Sequence, residues 1–135
     1  MPREALLDAS WLVNGPDWIG VLLESSELVL AVRPDYASMA GLKVGVIGPH
    51  PAGSEVGFEV RTFIPGDAAA EDPVTGSFNA GAAQWLIGSG RAPESYLTAQ
   101  GTALGRARRV HIDAVGNDIW VGGSSVSCIE GFVLL

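Results

Sequence analysis

Hydrophobic residues recur at helical spacing in one stretch of the chain and at strand spacing in most of the rest. Over 78–87, Phe78, Ala82, Trp85 and Leu86 fall at i, i+4, i+7 and i+8, while Ala80, Ala83 and Ile87 cover much of the remaining circumference. Asn79 and Gln84 are the polar side chains of this stretch. A helix apolar on nearly every side is surrounded by protein. Gly88-Ser89-Gly90 supplies its stop, since glycine accepts the left-handed conformation common past a helix end. Pro73 resists helix continuation from upstream, and Thr75 or Ser77 is placed to accept from the unpaired first-turn amides.

Short strands surround this helix. Expected strands are 11–13 and 18–23, separated by the turn Asn14-Gly15-Pro16-Asp17, then 29–32, 43–47, 56–63, 95–100, 108–115, 119–121 and 125–134. Residues 1–8 read as a short helical or irregular lead-in, and 36–40 as one or two helical turns. The breakers of 48–54 make a loop. In 56–63, Val56, Phe58, Val60 and Thr62 share one face and Glu59, Arg61 and Phe63 the other. Gly116-Asn117 is a hairpin turn. The order strands, one helix, strands defines an α+β fold.

Composition narrows the class. At 135 residues the chain has the length of one domain, and its 47% hydrophobic content supports one core. The 18 glycines suit strands joined by tight turns better than a helical bundle. A net charge of −7 argues against nucleic acid or an anionic membrane as partner. Cys128 is the single cysteine, so no internal disulfide can form, and its apolar surroundings lead us to expect a buried structural thiol. The N-terminal residues lack signal-peptide features and no apolar run reaches membrane-span length. A cytoplasmic protein is expected.

The chemistry gathers where the helix begins, at Glu71-Asp72-Pro73-Val74-Thr75-Gly76-Ser77. First-turn amides and the positive end of the helix dipole make an anion-binding point with Asp72 beside it. A carboxylate near a hydroxyl and convergent amides is suited to bind a substrate carboxylate or carbonyl and to move a proton. On spacing alone, Asp72 as a helix-start or turn residue and Ser77 as a cap is the simpler account of the stretch. The adjacent Glu71 cannot easily face the same point as Asp72, so one of the two is expected to face solvent. His111 is expected on the solvent side of its strand, with Val110 and Ile112 in the core, and His50 has no evident tie to a site. No cluster has metal-ligand spacing, no hydrolase triad motif is present, and the glycine pairs lack a phosphate-loop lysine or dinucleotide fingerprint. Arg106, Arg108 and Arg109 read as a solvated strand edge able to attract an acidic ligand.

These residues carry a family resemblance. Asn14-Gly15-Pro16 with Trp18, Arg33-Pro34-Asp35, Arg61-Thr62-Phe63 with Pro65-Gly66, the Glu71 to Ser77 string, Gln84-Trp85-Leu86, Gln100-Gly101 with Gly105-Arg106, and Val121-Gly122-Gly123 run in order through nearly the whole chain. In this series the chain resembles the C-terminal half of the PhzF-like phenazine-biosynthesis family, relatives of diaminopimelate epimerase. The resemblance implies an antiparallel-rich mixed sheet, or half-open barrel, wrapped around one central apolar helix. Family members are about twice as long, with two such domains and an active site in the cleft between them.

By the same resemblance, members are cofactor-independent isomerases or epimerases that shift a proton on a small acid. Asp72 and Ser77 match the aspartate and serine that line the cleft, and the Gly76 amide matches a donor to the substrate, with Thr75 beside it. No metal is implied. The glutamate that serves as principal proton shuttle, and its neighbouring histidine, belong to the family's first domain, which nothing in this chain matches. The expected partner is therefore a second copy of the chain, its Asp72 approaching across a two-fold axis to share a proton, or a separately encoded first half. The alternative is a non-catalytic remnant or small-anion-binding module that keeps the fold.

Overall fold

The computed structural model describes residues 5–134. The strands are β1 (Leu6–Val13), β2 (Asp17–Leu23), β3 (Val44–Pro49), β4 (Phe58–Phe63), β5 (Glu71–Asp72), β6 (Ser95–Gln100), β7 (Arg108–Val115) and β8 (Asp118–Gly122), and the helices are α1 (Ser26–Ala31) and α2 (Gly76–Gly88). All eight strands form one mixed sheet in the order β1-β2-β3-β4-β6-β7-β8, with β5 paired to β4. Most neighbours are antiparallel. β2/β3 and β4/β6 are parallel, and α1 and α2 lie in these two crossovers, on opposite faces of β4.

The α2 face of β4 carries Phe58 and Val60, which pack with Phe78, Ala82 and Leu86 of the helix and with Trp18, Leu22 and Ile47. α2 touches β1, β2, β7 and β8 of the sheet, which curls into a half-barrel. Gly45 makes the closest approach possible: a Cβ there would stand 2.0 Å from Cε2 of Phe78. The Phe78 ring thus lies directly on the β3 backbone, with Trp18 edge-on at 5.7 Å between centroids. The opposite face of β4 carries Phe63, which joins Val29, Leu23 and Val46 under α1. Tyr96 closes the far end against Phe58, and burial raises its hydroxyl pKa.

Several expectations hold. β6 and β7 span 95–100 and 108–115, Val110 and Ile112 are buried, and His111 is exposed. Gly90 takes a φ of +72° just beyond α2, and Gly116 a φ of +62° at the first central position of the β7–β8 hairpin, as a type II′ turn requires.

Five expectations fail. The 29–32 stretch lies in or next to α1 and is not a strand, because Ser25 caps the helix by accepting from the Leu28 amide and Arg61 occupies the carbonyls at its far end. Residues 36–40 form consecutive turns closed by i to i+3 bonds, such as Met39 N to Tyr36 O, and not helix. β1 starts at Leu6, so the described part of the 1–8 lead-in is mostly strand, held by register with β2, and residues 1–4 lie outside the described ones. The 125–134 stretch has no strand partner: Ile129 is 93% exposed and Phe132 fully so. Cys128 is exposed with it, contrary to the expected buried thiol.

Because the β3 backbone and the Phe78 ring leave no room between them, Gly45→Ala should cost about 1–3 kcal/mol by overpacking. A urea midpoint that falls at unchanged slope would verify this, and Phe78→Leu in the same background should recover part of the loss.

Candidate functional site

β5 is two residues long, yet it separates two chemistries. Successive strand residues point to opposite faces, so Glu71, opposite Phe63, turns toward α1, and Asp72, opposite Thr62, turns toward α2. Glu71 does not face solvent. Its carboxylate receives a two-pronged contact from Arg61, Nε to Oε1 and Nη2 to Oε2, each 2.8 Å. The remaining Arg61 nitrogen, Nη1, donates to the carbonyls of Val29, Leu30 and Val32 at 3.2, 3.2 and 2.8 Å, closing the C-terminal end of α1 with a cation where the helix dipole favours one. The guanidinium also stands 5.0 Å from the centre of the Phe63 ring.

Asp72 is half-buried at the mouth of the half-barrel. Its Oδ1 accepts from the Val74 amide at 3.2 Å and its Oδ2 from the Thr75 hydroxyl at 2.8 Å. Thr75 is the residue before α2, but its side chain caps no amide; it serves Asp72 instead. Ser77 does not cap either. Its Oγ accepts from the Trp18 indole N–H at 3.2 Å, and its carbonyl accepts from Asn14 Nδ2 at 3.4 Å. The structure therefore puts the hydroxyl of Thr75, not that of Ser77, on the Asp72 carboxylate. Gly76 lies in the open, with nothing within 4 Å of where a Cβ would stand. Among the described residues the first-turn amides of Gly76 and Ser77 meet no side-chain acceptor and remain available to an anion.

Beneath this loop is a polar network whose centre is Gln100, fully buried at the end of β6. Gln100 Oε1 accepts from the Thr75 amide at 3.0 Å and from Asn79 Nδ2 at 2.9 Å. Its Nε2 donates to Thr75 Oγ1 at 2.9 Å, Asp72 O at 3.0 Å and Thr62 Oγ1 at 3.1 Å. Thr62 and Thr75 hydroxyls lie 2.7 Å apart, and Asn79 is held in turn by Thr98 and by the Thr75 carbonyl. The direction of these bonds follows from charge. An ionised Asp72 accepts only, so Thr75 donates to it and must accept from Thr62 and Gln100. Gly101 follows at φ +83°, and a Cβ on it would come within 2.8 Å of the Pro73 carbonyl, so the loop rests on this glycine.

A hollow lies on each side of the loop. One, of about 410 Å³, is lined by Ile64, Asp67, Ala68, Ala69 and Asp72. The other, of about 340 Å³, is lined by Val74, Ala107, Arg108, Arg109, Gly123 and Ser124. No group of His, Cys, Asp and Glu suited to a metal occurs among the described residues, and no helix there is long and apolar enough to cross a membrane.

Sequence reasoning missed the Gln100 network and one further buried acid. Glu59 is 1% exposed on the α1 face of β4, its Oε2 3.1 Å from His50 Nε2, while Oε1 has no partner. His50 is thus tied to a carboxylate after all. The signal for Gln100 was available in principle, since a glutamine in a stretch reading as a strand, directly before a glycine, has to be satisfied if it faces inward.

Removing the hub tests the network. Gln100→Leu keeps the volume but orphans the Thr75 amide and one of the two Asn79 Nδ2 hydrogens, and should destabilise the fold by about 2–4 kcal/mol. The Thr75 amide should lose hydrogen-exchange protection beyond that global change, and protection equal to wild type would contradict the arrangement.

Comparison with known proteins agrees with this architecture. The family model for the phenazine biosynthesis-like proteins, PhzC-PhzF, matches residues 3–131. An uncharacterized isomerase of Pseudomonas aeruginosa is 41% identical over 66 residues, which are 49% of this chain and 25% of that protein. Crystal structures of PhzF-family phenazine biosynthesis proteins share the fold. That from Enterococcus faecalis has a TM-score of 0.68 at 23% identity, covering 88% of this chain and 44% of its own. That from Clostridium difficile, described as a putative PhzC/PhzF protein, has a TM-score of 0.65 at 23% identity, covering 87% and 45%. The chain spans less than half the length of these relatives, and it belongs to the PhzC-PhzF phenazine biosynthesis-like family.

Proposed function

We propose that this chain forms one wall of an isomerase or epimerase cleft in which Asp72 moves a proton on a small acid without a cofactor. The observation that carries the reading is the Asp72 carboxylate, held by Thr75 Oγ1 and the Val74 amide on the lining of the 410 Å³ hollow and beside the start of α2. In this reading the Gly76 and Ser77 amides and the Ser77 hydroxyl receive the substrate's carboxylate or carbonyl. Trp18 donates to Ser77 Oγ, leaving that hydroxyl's proton for an anion. The isomerase relative supports the reaction class.

The chain acts as a C-terminal-type domain arranged like diaminopimelate epimerase, its helix central, in the cytoplasm. The opposing wall comes from a second copy or from a separate chain equivalent to the family's first half, a reading supported by two-fold longer relatives of which the chain covers 44–45%. The rival reading is a non-catalytic remnant or small-anion-binding module that keeps the fold.

Exchange chemistry separates the two. Incubated in deuterium oxide with a panel of amino and hydroxy acids, the chain with its completing partner should incorporate deuterium at the carbon next to the carboxylate. Asp72→Asn should slow this by about 10²–10⁴. Equal incorporation by the variant would remove Asp72 from the role, and none by either protein would leave the binding module. For the second-copy form, light scattering at micromolar concentration should give twice the 14.0 kDa chain mass, and a monomer would exclude it.

A further inference from the structure

The basic hollow beside the site loop has no part in the proton transfer described above. Arg106, Arg108 and Arg109 bring three of the eight cationic residues into four positions of a chain whose net charge is −7. The other arginines with described contacts are engaged: Arg61 holds Glu71, Arg91 holds Asp8, and Arg33 donates to the carbonyls of Leu30 and Val32. Arg108 and Arg109 have no carboxylate partner among the described residues, where acids outnumber bases nearly two to one over the whole sequence.

Register fixes where Arg108 stands. It lies directly opposite Gln100 in the β6/β7 ladder, and directly opposed residues of an antiparallel pair project from the same face. That face is the one on which Gln100 reaches Thr75 and the Asp72 carbonyl. Arg108 is thus one strand removed from the network that carries the Asp72 loop. Val74, whose amide holds the Asp72 carboxylate, forms the opposite rim of the same hollow. At about 340 Å³, the hollow has room for the end of a small molecule whose other end meets Asp72.

We propose that the hollow between Val74 and Arg108–Arg109 is a subsite for a second, terminal oxyanion of the substrate, so that the acid acted on is dianionic, with its reacting carbon near Asp72 and its far anion on the guanidinium of Arg108. Arg109, opposite Ala99 in the ladder and with its Nη1 donating to the Arg108 carbonyl at 3.0 Å, adds positive potential at the rim of the hollow. The nearby Asp72 carboxylate repels the far anion. A substrate long enough to separate the two ends is therefore preferred over a compact one. This inference rests on the reading of Asp72 as the group that meets the substrate.

The test is a titration of the ¹⁵N-labelled full chain at constant ionic strength with propionate, succinate and 3-phosphonopropionate, following the Val74 and Gly76 amides and the arginine Nε–Hε signals. The dianions should bind at least about tenfold more tightly than propionate, with the Arg108 signal moving only for the dianions. Arg108→Gln, an exposed substitution whose folding the amide spectrum itself reports, should abolish that advantage and leave propionate binding unchanged. Succinate against 3-phosphonopropionate tells whether the subsite takes a carboxylate or a phosphate-like group. Equal affinity for propionate and both dianions, an advantage that survives Arg108→Gln with Arg109→Gln, or no perturbation by any of the three would overturn the proposal. Its fate is separate from that of proton transfer: deuterium exchange without dianion preference rejects the subsite alone, and dianion preference without exchange rejects the catalytic reading alone.

Discussion

Gln100 is the constraint on which the site depends. A fully buried primary amide has to find partners for two donors and an acceptor, and the groups within reach are the backbone and hydroxyls of the 72–75 loop, Thr62 on β4 and Asn79 on α2. Satisfying it fixes the loop relative to the sheet and the helix at once. The cost of leaving any of these groups unpaired in a low-dielectric interior is what makes the loop conformation unique. Apolar packing alone, through Phe78 on Gly45, locates α2 but does not set the position of a carboxylate beyond its first turn.

The two helices complete a symmetrical division of labour about β4. The residues of this central strand alternate between an apolar and hydroxyl-bearing face toward α2 and a charged and aromatic face toward α1. On the second face Arg61 does for α1 what no residue of α1 itself does, since the last turn of that helix has no basic side chain. A buried arginine is tolerated because every charge-bearing edge is used: the carboxylate of Glu71, three carbonyls and the Phe63 ring.

What was legible in the sequence were the features set by local rules. The α2 period, the glycine past its end, the hairpin at Gly116 and the alternation in 56–63 each follow from backbone geometry, and each corresponds to a structural element. The failures share a different origin. The residues 29–32 have no strand neighbour to pair with, and the distant Arg61 donates to the carbonyls at the end of their helix. The apolar residues of 125–134 looked like a strand because composition does not state whether a sheet edge is available. At the site, the string marked the place but not the pairing: Thr75 took the contact expected of Ser77 because Trp18, far away in sequence, engages Ser77.

The short β5 strand has one more consequence. Because Glu71 and Asp72 face opposite sides of the sheet, neighbouring carboxylates are anchored to different helices, one through Arg61 to the end of α1 and the other through Thr75 to the start of α2. The dipeptide acts as a rivet through the sheet. Its two heads cannot be adjusted independently, for a one-residue insertion or deletion would exchange them and place each acid before the wrong partner. Any drift of α1 across the sheet is therefore transmitted mechanically to the side on which Asp72 stands.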